Sequence, residues 1–210
     1  MTNENQELDH KEPSREEQRH KERQQKIKEK VDEKIAQAQE ERGLLVVITG
    51  NGKGKSTSGF GTVARAVGHG QKAAVVQFIK GTWECGEANL LRQHGVEICV
   101  MATGFTWETQ NKEADIAAAT ETWTDAKRLL ADPSIDMVLL DELTYMVSYH
   151  YLDLDEVIQA IENRPKHQHV LITGRACHRR LIDLADTVSE VQEVKHAFQA
   201  GIKAQKGMDW

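Results

Sequence analysis

The feature that most constrains this chain is an apolar run followed at once by a glycine-rich turn that carries two lysines. Residues 44–49 read LLVVIT and residues 49–57 read TGNGKGKST. An aliphatic, β-branched run without polar alternation suits a strand buried on both faces of a parallel sheet. The glycines let the next segment bend so that several N–H groups converge, and a helix opening there adds positive potential. Lys55 can then reach phosphate oxygens and the Ser56 hydroxyl can ligate Mg²⁺. Gly50, Asn51, Gly52, Lys53, Gly54, Lys55, Ser56 and Thr57 are therefore the expected phosphate-binding residues. A turn without a ligand does not account for two lysines crowded among three glycines. The spacing is unusual: only three residues separate Gly50 from Gly54, and Thr49 stands where the standard loop has its first glycine.

Further apolar runs follow at 73–78 (AAVVQF), 96–101 (VEICVM), 137–140 (MVLL) and 169–173 (HVLIT), with a more alternating run at 187–194 that reads as an edge strand. Helical segments are expected between them, at about 55–67, 87–93, 112–130, 154–163 and 178–184. Strand–helix alternation over this length predicts an α/β architecture. The expected fold is a phosphate-loop, three-layer domain over residues 43–210 with a mainly parallel sheet.

Residues 1–42 differ in character. They hold 22 charged residues, 10 basic and 12 acidic, and no aromatic residue. Residues 1–15 are expected to be disordered. From Ser14 the string SREE reads as a helix N-cap with a capping-box glutamate three residues on. Ile27, Val31 and Ile35 then form one narrow apolar stripe on a charged helix, which we expect Gly43 to end. Such a helix is marginal alone and reads either as a solvated linker or as an arm that packs on a domain surface.

Composition narrows the function classes. The net charge is −6, so the basic footprint of a general nucleic-acid binder is missing. No apolar run approaches the roughly 20 residues that span a bilayer, and the first residues lack a signal-peptide core, so the expectation is a cytoplasmic protein. Cys85, Cys99 and Cys177 are odd in number and share no CxxC spacing, which speaks against a disulfide framework or a structural zinc site.

A second element supports the loop. The run 138–142 (VLLDE) is an apolar strand ending in two carboxylates, and such a strand end commonly faces the phosphate loop and holds its metal. Ser56, Asp141 and Glu142 are the expected ligands of Mg²⁺ (or Mn²⁺). Phosphate binding does not name a reaction. The string 111–114 (NKEA) lacks the aspartate that guanine recognition needs, whereas Arg175, Arg179 and Arg180 leave a small-molecule kinase open.

The strings TGNGKGKS (49–56), ARAVGHG (64–70), VVQFIKGTW (75–83), MATGFTWETQN (101–111), DMVLLDELTYMV (136–147), TGRACH (173–178), ADTVSEV (185–191) and VKHAFQAGIKAQ (194–205) resemble the phosphate-loop corrinoid adenosyltransferases. The resemblance implies transfer of the 5′-deoxyadenosyl group of ATP to cobalt(I) of a corrinoid, with the whole triphosphate as leaving group and ATP lying reversed relative to phosphate-loop hydrolases. It gives Lys55 and the loop the role of stabilising that leaving group. It sets Phe105 and Trp107 at the lower face of the corrin, where they exclude an axial base. By resemblance the N-terminal arm folds over the corrinoid site of a partner in a homodimer. No histidine has an aspartate two residues before it, so the usual cobalt-ligating motif is missing. Nor does the chain carry a flavin fingerprint or iron–sulfur spacing, so a separate electron donor, such as a flavoprotein, is expected. The rival readings are an ATP-dependent kinase and a non-catalytic nucleotide-switched binder.

Overall fold

A computed structural model describes residues 14–79, 85–101 and 111–210. The chain divides into two units, Met1–Glu41 and Arg42–Trp210. In the first unit, helix α1 spans Arg15–Gln37 and shows the anticipated capping box. The Glu17 N–H donates to Ser14 Oγ at 3.3 Å, and the Ser14 N–H donates to Glu17 Oε2 at 2.6 Å. Two orphan amide groups at the helix start are thereby satisfied.

Gly43 does not end this helix, contrary to the sequence reading; α1 closes six residues earlier, with Ala38 as its C-cap. Gly43 is needed for another reason. Its N–H donates to Lys166 O at 2.7 Å, and a Cβ there would collide with the backbone of Gln168. It is the close-approach point that brings the first strand beside the fifth.

The second unit alternates strands and helices as expected: β1 (Leu45–Thr49), α2 (Lys55–Gly68), β2 (Ala73–Gln77), α3 (Gly86–Gln93), β3 (Glu97–Val100), α4 (Lys112–Ala131), β4 (Met137–Asp141), α5 (Leu143–Ser148), α6 (Leu154–Glu162), β5 (His169–Thr173), α7 (Arg179–Leu184) and β6 (Thr187–Glu190), followed by a 3-10 turn at Ala197–Ala200. Helix α5 had no separate signal, because its six residues are too few to show a period. The six strands form one sheet in the order β3-β2-β4-β5-β1-β6, and every pairing is parallel. β6 is an edge strand, as its alternation suggested, and is exposed throughout.

Successive strand side chains point to opposite faces, and two cores result. Val138 and Leu140 of β4 join Val170 and Ile172 of β5 under α4, α5 and α6, with Trp123 and Leu129 as large buried contributors. Met137 and Leu139 point the other way, with Leu171, Val75 and Ile48, to Phe60 and Val63 of α2 and Leu91 of α3. This double burial is why the strands read as unbroken apolar runs. Gln168, fully buried, pins the end of α4 to the sheet: its Nε2 donates to the carbonyls of Leu129, Asp132 and Ile135. With helices on both faces, a ligand is expected at the carboxyl edge of the strands, as is general in open parallel sheets.

Candidate active site

Four strand ends converge at that edge. β1 ends at Thr49 and the chain turns through residues 50–54 into α2. Gly50 and Gly54 have φ of +100° and +115°, conformations that side chains disfavour. The turn is braced from the edge strand: the Val191 N–H donates to Thr49 O at 2.8 Å, and the Gly52 N–H donates to Val191 O at 2.7 Å. A Cβ on Gly52 would lie 2.5 Å from Gln192 O, so the bracing needs glycine there.

Lys55 starts α2 and is buried. Its ammonium donates to Gly52 O at 2.7 Å, folding the side chain back along the loop. Burial lowers its pKa, with Arg175 acting in the same sense against the attraction of Glu142 and Asp141. A lysine held this way is a preorganised cation waiting for an anion.

Opposite stands Asp141, the last residue of β4, 3 % exposed. Thr173 Oγ1, at the end of β5, donates to its Oδ1 at 2.6 Å, and Gln77 Nε2, at the end of β2, donates to its Oδ2 at 3.3 Å. Burial raises its pKa, while hydrogen bonds from Thr173, Ser56 and Gln77 pull the other way. Glu142 follows in a left-handed conformation (φ 60°), and its N–H donates to Thr173 Oγ1 at 3.0 Å. Its pKa is pushed up to about 7, by burial first and by Asp141 second. Its Oε2 is buried with no hydrogen-bond partner. A buried, unsatisfied carboxylate oxygen is costly unless something cationic meets it.

The donor set thus fits a hard divalent cation: a hydroxyl at Ser56 and carboxylates at Asp141 and Glu142, all oxygen. Glu142 has a free acceptor, whereas Asp141 already spends both oxygens within the protein. Together these groups line a cleft of about 380 Å³, within the range of small-molecule sites. Lys53, Arg175 and Thr57 also line it.

Phe105 and Trp107 lie outside the described residues, as do residues 1–13. Of the residues that sequence reasoning did not single out, Gln77 and Thr173 carry a signal that was available. Each is the polar last residue of an otherwise apolar strand (AAVVQ and HVLIT). Asp209, Trp210 and His196 also line the cleft, and nothing local announced them.

The model of the ATP:corrinoid adenosyltransferase family BtuR/CobO/CobP matches residues 41–210. The chain belongs to this family. Among its relatives, a corrinoid adenosyltransferase of Salmonella typhimurium is 68 % identical over 176 residues, covering 84 % of this chain and 90 % of that protein. One from Escherichia coli is 67 % identical over 176 residues with the same coverage. Another from Pseudomonas aeruginosa is 54 % identical over 178 residues, covering 84 % of this chain and 88 % of the relative. Membership leaves the kinase reading without support. As an adenosyltransferase the chain needs a pocket for ATP, and the cleft at the carboxyl edge is the candidate for it. Among the described residues no helix is long and apolar enough to cross a membrane.

Proposed function

We propose that this chain transfers the 5′-deoxyadenosyl group of ATP to the cobalt(I) of a corrinoid and releases tripolyphosphate. Cobalt(I) supplies the electron pair for the new bond to C5′, the C5′–oxygen bond breaks, and its electrons leave on the α-phosphate oxygen. The charge that develops there must be met by groups already in position. The observation that carries the reading is the cleft itself: the converging loop from Gly50 to Thr57, the inward-folded Lys55, and the paired carboxylates facing them, in a family member. Lys55, Lys53, Arg175 and the loop N–H groups hold the triphosphate. Ser56, Asp141 and Glu142 hold Mg²⁺ or Mn²⁺, which neutralises phosphate charge when bound. Thr173 and Gln77 orient Asp141.

The corrinoid is the second substrate. By the family resemblance, Phe105 and Trp107 present apolar faces to the corrin in place of a donor ligand, which eases reduction of cobalt(II). The chain works as a cytoplasmic homodimer with a separate reductase, and the arm at residues 1–42 covers the corrinoid site of the partner subunit. Trp107→Ala will then impair turnover of cobalt(II) corrinoid more than of chemically pre-reduced cobalt(I) corrinoid, and equal losses with both would remove it from that role.

The deciding experiment incubates the protein with ATP, Mg²⁺ and chemically reduced corrinoid. Carbon–cobalt bond formation is followed by absorbance, and the phosphate product is identified. Tripolyphosphate in step with the new bond is expected. Release of ADP, or ATP binding without any change at cobalt, would refute the assignment.

A further inference from the structure

The cleft contains a carboxylate that neither phosphate binding nor metal binding explains. Asp209 approaches from the far end of the chain, and its Oδ1 accepts from Lys53 Nζ at 2.6 Å. Lys53 is one of the two lysines of the phosphate loop. The segment that delivers Asp209 is a small self-closed turn. The Gln205 N–H donates to Asp209 Oδ2 at 2.8 Å, the Asp209 N–H donates to Gln205 O at 2.8 Å, and the Gly207 N–H donates to Trp210 O at 2.8 Å. Both oxygens of Asp209 are thus used, one to build the turn and one to hold the lysine. Asp209 and Trp210 both line the cleft. Hydrogen bonds from Lys53 and from the Gln205 backbone keep this carboxyl below the usual range, so it is an anion at neutral pH.

An anion at the mouth of a polyanion site opposes the ligand unless it moves. Its hold on Lys53 is modest, since both side chains are partly exposed, 47 % for Lys53 and 28 % for Asp209. A triphosphate carries several charges where Asp209 carries one, so it wins the lysine by mass and charge. The release side gains from the same contact. A product held by two lysines, an arginine and a ring of N–H groups leaves slowly, and a tethered rival at high effective concentration speeds its exit.

We propose that Asp209 is an intramolecular competitor for Lys53: its carboxylate holds the loop lysine when no phosphate does, yields it to an incoming triphosphate, and reclaims it as tripolyphosphate departs. This rests on the cleft being the triphosphate site. A competitor of this kind weakens apparent affinity according to the fraction of time that Lys53 is occupied, which for a partly exposed pair is about two- to sixfold.

The test measures inorganic tripolyphosphate binding by calorimetry to the full chain, to Asp209→Asn, to Lys53→Ala and to the double variant. Asparagine keeps the acceptor for Gln205 and removes the charge. Asp209→Asn is expected to bind tripolyphosphate about two- to sixfold more tightly with slower release, and the gain should vanish in the Lys53→Ala background. Amide exchange in residues 205–210 should speed up when tripolyphosphate binds to the unmodified chain. Unchanged or weaker binding by Asp209→Asn, or slower exchange of that turn with ligand, overturns the competitor. If Lys55→Ala still abolishes binding in that case, the phosphate cradle stands without it. If the unmodified chain binds neither ATP nor tripolyphosphate, the cradle fails and the competitor with it.

Discussion

Thr173→Val probes the site at the point where fold and chemistry meet. The threonine hydroxyl donates to Asp141 Oδ1 at 2.6 Å and accepts from the Glu142 N–H at 3.0 Å. Valine has nearly the same volume, so no cavity opens and the whole effect is polar. A hydrogen bond to a buried carboxylate contributes about 1.5–3 kcal/mol and a neutral amide bond about 0.5–1.5 kcal/mol. The expected loss of stability is therefore about 2–4 kcal/mol. For a chain of this length each kcal/mol shifts the midpoint by about 2–4 °C, so melting should fall by roughly 4–16 °C. The same change acts on function. Burial already raises the Asp141 pKa, and the Thr173 bond is the first of those that restrain it. Without that bond the pKa rises further, so the acid limb of the activity profile moves to higher pH. Urea unfolding of the full chain measures the first effect, and the pH dependence of adenosyl transfer measures the second. Thr173→Ser keeps the hydroxyl and should restore most of both. A valine variant within about 0.5 kcal/mol of the parent, with an unmoved acid limb, would refute the reasoning.

Three other outcomes follow from the same geometry. Lys55→Ala removes a preorganised cation and should lower turnover about 100- to 1000-fold; because it also removes a buried charge, thermal melting should show little loss of stability, and substantial unfolding would mean that the lysine is structural. Glu142 has a pKa of about 7, so a cation must displace its proton below that pH. Mg²⁺ affinity should then rise by up to about tenfold per pH unit up to pH ~7 and level off above, a dependence that calorimetry should find flattened in Glu142→Gln. Gly54→Ala places a side chain at φ +115° with open space around it, whereas at Gly50 (φ +100°) a Cβ also meets the Val191 backbone, with Val191 N at 2.9 Å. Gly54→Ala should cost about 1–3 kcal/mol of strain, and Gly50→Ala more, with ATP binding lost; equal melting shifts would contradict the bracing by β6.

The pH dependence of stability has a defined sign at Glu142. Its folded pKa of about 7 lies above the ordinary glutamate value of 4.5. The protonated form is therefore favoured by folding. Any contribution is fully present below pH ~4.5 and is lost as pH rises through about 7. Metal binding reverses that loss by giving the ionised carboxylate a partner.

Much of this protein was legible in its residues because the signals are contiguous. The run LLVVIT, the turn GNGKGKS and the following helix are neighbours in sequence, and local sterics alone dictate how they fold. The capping box at Ser14 and Glu17 is equally local, and it formed as read. The carboxylate pair at the end of β4 was recognisable because an apolar run stops there abruptly. Gly43 misled for the same reason: glycine after a helical stretch usually marks its end, but here the constraint comes from the backbone of Gln168, which no local pattern reveals.

Tertiary structure alone decided the strand order and with it the partners of the site. β5 lies between the loop strand and the carboxylate strand, and this inserts Thr173 between Asp141 and the loop. The sheet order likewise sets Gln77 against Asp141, a pairing across 64 positions. The edge strand and the tail beyond it return to the phosphate loop, so that Asp209 meets Lys53 across 156 positions. The sequence by itself determined the elements and the chemistry each one carries, because backbone sterics and hydrophobic periodicity act over a few residues. Which distant groups face one another, and hence which pKa values shift, depends on burial and charge brought together only when the sheet closes its order.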